Sequence, residues 1–370
     1  MNPNKKIFLQ ILLIINLCFL FVLAFGSFAG KTHPVTFWPF SLAGLFFPIL
    51  FTIAIASLLF WCFVKPKYAL FCLAIILLSI PNIIVSFPIN FKSGLKDSKK
   101  TDQLRVVTWN VNLMNYSAKN TETAIKQNEK IFKTLYELNA DVICLQEMFT
   151  AVIPDKTYNF IDSFRSHMGY TYHYFSRDFP KFDGKFYSGT IILSKYKIVD
   201  SNKTSFPVTN TRSIIRAGIL FQNDTIDVVS THMQNLNLGR DLDKSIIDST
   251  IEPGEDADFI MKLKYGYASQ LTQVKTIQKV LDESKRPLIF TGDLNNVPTS
   301  YTYLNIKRKM KDAWIQQGSG RGATYKFIPN DMRIDYIFYN QFFKSIQTDR
   351  IISNASDHYG VVTDLQLIKK

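Results

Sequence analysis

The sequence predicts a mixed α+β domain carried behind a membrane-embedded helical region. Three observations predict it. Three long uncharged apolar runs fill the first ninety residues. Short β-branched or aromatic runs, bounded by polar or turn residues, recur from Arg105 onward. Two stretches among them space their apolar residues as helices do.

The membrane region comes first. Residues 7–30 and 68–91 are uncharged runs of 24 residues each, and 32–64 is a run of 33 with only His33 in it. A helix crossing a bilayer needs roughly 20 mainly apolar residues. Spans are therefore expected at about 7–29, 40–63 and 68–89, within a membrane region of residues 1–91. The first run is too long for the ~7–15-residue apolar core of a cleaved signal. Pro81-Asn82 is expected to kink the third span. Lys5 and Lys6 precede the first span, and Lys65 and Lys67 join the second to the third. If these lysines are cytoplasmic, the chain is a multi-pass protein with its main domain on the non-cytoplasmic side. Lys92, Lys96, Lys99 and Lys100 pull the other way, although long domains weaken the charge rule. With no charge inside the runs to mark an ion path, a transporter is a poor reading.

Composition bounds the rest. The net charge is +13, of which five lysines before residue 91 supply +5 and leave +8 for the remainder. That balance suits an anionic substrate or surface without bearing on fold. The four cysteines, Cys18, Cys62, Cys72 and Cys144, lie in apolar runs without CxxC spacing, so neither a disulfide framework nor a zinc site is indicated. Gly30-Lys31-Thr32 lacks the earlier glycine of a phosphate loop. The acidic stretch 241–258 lacks the order of a calcium loop and reads as a solvated segment.

Residues 92–104 are lysine-rich and polar, and read as a linker to a domain over 105–370. Strands are expected at 105–109, 142–145, 190–193, 214–221, 226–230, 288–290, 334–339 and 360–367. Ile125, Ile131, Phe132, Leu135 and Leu138 form one apolar helical stripe. Leu271, Val274, Ile277 and Leu281 form another. Several strands end in acidic, amide or imidazole side chains: Thr108-Trp109-Asn110-Val111-Asn112, Leu145-Gln146-Glu147, Ser230-Thr231-His232, Gly292-Asp293-Leu294-Asn295 and Ser356-Asp357-His358. Loops held by a rigid sheet carry chemistry. Oxygen and imidazole groups gathered there suit a hard divalent cation and the activation of water.

In this order, these motifs resemble the endonuclease/exonuclease/phosphatase superfamily, over about residues 105–370. The resemblance implies a four-layer α/β/β/α sandwich, like that of deoxyribonuclease I, and magnesium-dependent hydrolysis of a phosphate ester, with manganese as a substitute. It implies metal ligation by Glu147, with Asp357 close to the ion. Asp293 would orient or deprotonate water, and Asn110 and Asn295 would hold the phosphate. His358, oriented by Asp335, and His232 would contact the phosphate. Arg216 stays open between a phosphate contact and a surface charge. Asn112 stands where the abasic-site branch has an aspartate near the metal. An amide there takes a charge from the metal site and argues against that branch.

The chemistry stands without the resemblance. Hydrolysis builds negative charge on phosphoryl oxygens, which a cation offsets. An imidazole near its reference pKa of ~6.5 donates at neutral pH. Two classes of function follow. One is a membrane-tethered phosphodiesterase or phosphomonoesterase acting on nucleic acid or a phospholipid head group. The other is a catalytically silent binding or scaffold protein on the same fold, to which the full acidic and imidazole set is the counter-argument. The lipid bilayer is the implied partner, and no protein partner is.

Overall fold

The computed structural model describes residues 3–91, 93–95, 98–153, 155, 158–207, 211–236, 259–326 and 331–368. The acidic stretch 241–258 lies outside them. The chain divides into two compact units: Met1–Phe87 with Asn296–Leu304, and Pro88–Asn295 with Asn305–Lys370.

The first unit is helical: α1 (Pro3–Phe28), α2 (Trp38–Leu45), α3 (Phe47–Val64), α4 (Pro66–Leu78) and α5 (Ile80–Ser86). Helices α1 and α3 are long and apolar enough to cross a membrane, and α4 with α5 makes a third span if the bent pair is one. That pair turns by 62°. The break falls at Ser79, just before Pro81, because the ring of a proline clashes with the carbonyl four residues earlier. The expected span at 40–63 divides at Phe46 for the same reason, with Pro48 opening α3. Gly26 permits close packing, since a Cβ there would meet the Ala43 carbonyl at 3.0 Å. Inside the bundle, Trp61 Nε1 donates to Asn16 Oδ1 at 3.1 Å. The segment Asn296–Leu304 belongs to this unit, and Thr299 Oγ1 donates to the Gly44 carbonyl at 2.8 Å.

The second unit is built on two sheets. Its elements begin with β1 (Gln103–Asn110), α6 (Thr121–Leu138), β2 (Val142–Ala151), α7 (Phe160–Met168), β3 (Tyr172–Phe175) and β4 (Phe179–Lys181). There follow β5 (Phe186–Ser194), β6 (Ile198–Ser205), β7 (Ser213–Phe221), β8 (Asp224–His232), α8 (Phe259–Glu283) and β9 (Leu288–Asp293). The last are β10 (Lys311–Asp312), α10 (Ala313–Gln317), β11 (Asp335–Tyr339), β12 (Phe343–Ile351) and β13 (Gly360–Leu367), while α9 (Tyr301–Lys307) begins in the first unit and ends in the second. One sheet has the order β12-β13-β1-β2-β5-β3, with β4 also on β5, and the other β10-β11-β9-β8-β7-β6.

Strand alternation builds the layers. Val106, Cys144, Ile215, Val228, Ile289 and Ile337 belong to a core supplied by strands of both sheets. Their neighbours Val107, Ile143 and Leu145 turn the other way, onto Ile131 and Leu135 of α6 and Phe160 and Phe164 of α7. The two sheets with their helices form the expected α+β sandwich. Helix α6 starts where the Asn120 side chain accepts from Thr123 N at 2.8 Å and stops at Asn139 in a left-handed conformation.

The stretch expected as a linker is largely held. Strand β1 starts at Gln103, Gly94 N donates to Thr348 O at 3.3 Å, and Lys99 Nζ meets Asp141 at 2.6 Å.

Candidate active site

The site is a consequence of register. Strands β1 and β2 run parallel with Asn110 opposite Gln146, and β8 and β9 run parallel with His232 opposite Asp293. Asp335 opens antiparallel β11 opposite Asp293. Thus His232, Asp293 and Asp335 form one row across a sheet, while Asn110 ends β1 and Glu147 sits at a bulge inside β2 of the other. His358 precedes β13, whose Val361 pairs with Thr108. Ser356 fixes that approach: its Oγ donates to Asn110 O at 2.7 Å and accepts from His358 N at 3.2 Å.

The side chains interlock. Asn110 Nδ2 donates to Glu147 Oε1 and Asp293 Oδ2, both at 3.1 Å, and so joins the two sheets. Asn110 Oδ1 accepts from Asn112 N at 3.0 Å. Asp293 Oδ1 accepts from Asn295 N at 2.8 Å. Asn295 Nδ2 lies 3.1 Å from His232 Nε2 and donates to Met233 O at 2.9 Å. His358 Nδ1 lies 2.9 Å from Asp335 Oδ2, and its Nε2 lies 3.8 Å from Asp293 Oδ2. His232 Nε2 is 3.6 Å from that same oxygen. Tyr325 stacks at a tilt on the His358 ring, 4.9 Å between centroids.

The two histidines are pushed apart in charge. Burial, then the positive charges of Arg212 and His358, hold His232 well below its ordinary pKa. It is neutral, and the Asn295 amide donates to its Nε2, which leaves the proton on Nδ1. Burial also opposes charge on His358, but Asp335 and Asp293 outweigh it and push His358 up to about 10. Burial, then the charge of Asp335, raises Asp293. Burial, then the charge of Asp357, raises Glu147.

Among the described residues, Asp293, Asp335 and His358 bring ligand atoms within 4.8 Å of one another. A charged imidazole has no free lone pair, so this trio fits proton handling better than metal binding. Glu147 and Asp357 fit a cation better. Both carboxylates are partly exposed, and the charge of Asp357 bears on Glu147. A set made of oxygen donors suits magnesium or manganese.

The structure thus brings together Asn110, Asn112, Glu147, His232, Asp293, Asn295, Asp335, Asp357 and His358. Arg216 is elsewhere. It pairs with Asp227 at 3.0 Å and Asp200 at 3.1 Å, on the opposite face of β7 from the core residues Ile215 and Ala217. The arginine whose charge reaches these residues is Arg212, four residues earlier. It donates to Gln234 Oε1, and its charge bears on both Glu147 and His232. Sequence reasoning passed it over because it lies in the turn before β7, outside any motif. Gln146, Thr108 and Ser230 were also missed. Gln146 Nε2 donates to Thr108 Oγ1 at 3.1 Å and Ser230 Oγ at 3.2 Å, a buried bridge between the sheets beneath the site.

The model of the endonuclease/exonuclease/phosphatase family matches residues 107–358, and that of a domain of unknown function matches 6–86. No curated protein matches. Among solved structures, an endonuclease/exonuclease/phosphatase from Beutenbergia cavernae is 22% identical with a TM-score of 0.52, covering 72% of each chain. A family protein from Leptotrichia buccalis is 19% identical with a TM-score of 0.52, covering 71% of this chain and all of its own. The catalytic domain of human Nocturnin is 18% identical with a TM-score of 0.50, covering 72% of this chain and 93% of its own.

Proposed function

This chain belongs to the endonuclease/exonuclease/phosphatase family, and on that premise we propose that it is a membrane-held, magnesium-dependent hydrolase of phosphate esters. The observation that carries the proposal is the split pair of histidines around Asp293: one neutral, one charged, both within 4 Å of the same carboxylate oxygen. General acid–base work needs groups whose environments separate their protonation states.

Magnesium held by Glu147 and Asp357, with Asn110 and Asn112 beside them, would offset the charge that develops on the phosphoryl group. The chain's own residues do the rest. Asp293 accepts a hydrogen from water, and its raised pKa suits a base. His358 stays charged through neutral pH and donates to a phosphoryl oxygen, with Asp335 fixing its ring. Asn295 donates an amide hydrogen that a carboxylate could not. Arg212 adds positive charge for the phosphate beside His232. The apolar helices α1 and α3 hold the chain in a bilayer.

The test is hydrolysis of bis(p-nitrophenyl) phosphate by the detergent-solubilised full chain, with and without magnesium. Activity should need the metal and vanish in Glu147→Gln and in His358→Ala. Undiminished turnover in the double variant would overturn the proposal.

A further inference from the structure

Helix α8 is the crossover between parallel β8 and β9, and it brings amides to the ends of both strands. Leu263, Tyr267, Val274 and Ile277 bury one face of it. Gly266, Gln270 and Gln273 follow the spacing i, i+4, i+7 and share a second face. Gly266 lets the loop after β8 come close, since a Cβ there would meet Asn235 O and Leu236 Cα at 3.1 Å. Both glutamines are 1% exposed. Met233 N still donates to Asp293 O at 2.9 Å. Beyond that rung the two chains leave the ladder, and their buried backbone groups need other partners. The glutamines supply them. Gln273 Oε1 accepts from Gln234 N at 2.9 Å, and Gln270 Nε2 donates to Gln234 O at 2.7 Å. The same Nε2 lies 3.3 Å from Leu294 O and 3.4 Å from Asn295 O. One amide therefore spans both loops and sets their separation.

These loops carry the groups assigned to the phosphate. Gln234 Oε1 accepts from Arg212, whose charge bears on His232. Asn295 reaches the same imidazole from the other loop, its Nδ2 3.1 Å from His232 Nε2. Glu147 stands on the other sheet.

Resting on the phosphoesterase reading, we propose that Gln270 and Gln273 are positioning residues: acting through Gln234 and Asn295, they fix the spacing of the phosphate-binding groups Arg212 and Asn295 around His232. The two differ in the atom they use. Gln270 works through its amide hydrogens. Gln273 works through its oxygen, and among the described residues nothing pairs with its Nε2. Exchanging that nitrogen for oxygen removes no hydrogen bond at Gln273, whereas the same exchange at Gln270 turns a donor into an acceptor facing three carbonyl oxygens.

The experiment compares the detergent-solubilised full chain with Gln270→Met, Gln270→Glu, Gln273→Met and Gln273→Glu. Methionine keeps the length of the side chain and removes its hydrogen bonds. Three readings are taken below each variant's unfolding temperature: kcat and KM on bis(p-nitrophenyl) phosphate, and by calorimetry the affinities for inorganic phosphate and for magnesium. Gln270→Met, Gln270→Glu and Gln273→Met should each lower kcat/KM by about ten- to a hundredfold, the scale of a displacement of up to an ångström at a reacting centre. Phosphate affinity should fall with it, while magnesium affinity, set by Glu147, changes far less. Gln273→Glu should recover most of what Gln273→Met loses, and Gln270→Glu should recover nothing. Unchanged kcat/KM in the methionine variants, with only the unfolding temperature lowered, would overturn the positioning role. So would an equal fall in kcat/KM and magnesium affinity, the mark of a site loosened as a whole. If Gln270→Met does not fold, the Gln273 pair decides, and equal losses in its two members overturn the proposal. A wild-type chain that binds phosphate without hydrolysing the ester would overturn the phosphoesterase reading, and the order of phosphate affinities would still test the positioning role. A wild-type chain that neither hydrolyses the ester nor binds phosphate would overturn both.

Discussion

Replacing Asp335 by asparagine removes one charge and almost no volume. The amide oxygen of the new side chain can still accept from His358 Nδ1, across the 2.9 Å that Asp335 Oδ2 spans. The electrostatic loss is large. Two unit charges 4 Å apart attract by about 4 kcal/mol at an effective dielectric of 20, which is about three pH units. His358 would therefore fall from about 10 to roughly 7, where burial pulls against the remaining carboxylates, Asp293 and Asp357. The assay is the pH profile of kcat on bis(p-nitrophenyl) phosphate, with histidine NMR as an independent titration. The wild-type profile should show no loss of a proton donor until pH approaches about 10. The variant should lose activity above about pH 7, roughly tenfold per unit, because only protonated His358 donates. The same shift bears on stability. A raised folded-state pKa stabilises the fold fully below the unfolded value of about 6.5, and the contribution fades as pH rises through about 10. A variant whose kcat stays level to about pH 9, with His358 still charged there, would refute the coupling.

Other outcomes follow from the same geometry. Glu147→Gln should weaken magnesium binding, measured by calorimetry on the solubilised chain, by more than the roughly 10–100-fold that losing an outer partner of a metal ligand costs. Unchanged affinity would remove Glu147 from the metal site. Asp312→Ala should lower stability by about 3–5 kcal/mol, because it takes a carboxylate 2.7 Å away from the buried Arg333 and uncaps Trp314 N at 2.9 Å. A loss below about 1 kcal/mol in thermal unfolding would contradict that. Burial pushes Cys144 up to about 12, so it should resist thiol-directed reagents at neutral pH until the second unit unfolds. Asn295→Ala and Asn295→Gly should both lose most activity. The glycine variant should be the more stable by about 1 kcal/mol, the lower end of the cost of a left-handed residue with a Cβ. Near-normal turnover in the glycine variant would mean that the backbone bend matters and the amide does not.

The site was legible where chemistry coincides with a strand end. Asn110 and Asp293 each close an apolar run, so sequence alone places them at strand ends, whereas Glu147 sits at a bulge inside β2 and His358 precedes β13. Asp335 was legible only through its neighbours, since one acid in an alternating strand looks solvent-facing until its partner His358 is found. Arg216 and Arg212 show the limit. Both flank or lie in β7, and alternation cannot say which arginine reaches the site. That depends on how the end of β7 stands against β8, a tertiary fact. In the fold, the buried strands were visible from their β-branched runs. Strands β6 and β12 were not, because their sequences, such as Phe343–Ile351, mix charges and polar groups on partly solvated edges. In the helical unit, Pro81 marked the kink, whereas Pro48 lay inside an uncharged run read as a single span. Uncharged composition measures length available to a span and says little about where it bends.

The backbone around the site explains why so many of its residues are amides. Asn112, Leu113, Met114 and Asn115 run consecutively at φ between 47° and 55°, starting two residues after Asn110. Glu147 stands at φ 52° and Asn295 at φ 49°. Each such residue with a Cβ costs roughly 1–2 kcal/mol. The structure offsets that cost locally. Leu113 and Met114 are buried in the core, Asn115 Nδ2 donates to Asn128 Oδ1 at 3.1 Å, and Asn110 Oδ1 holds Asn112 N. The bulge between Leu145 and Met148 lifts Glu147 out of the ladder. A regular strand would alternate these side chains between the faces of its sheet and carry some of them away from the cluster. Turning the chain left-handed at the strand ends instead aims Asn110, Glu147, Asp293 and Asn295 at one point. Asparagine bears that turn at less cost than other residues with a Cβ, so the amide placed at the candidate site also permits the bend.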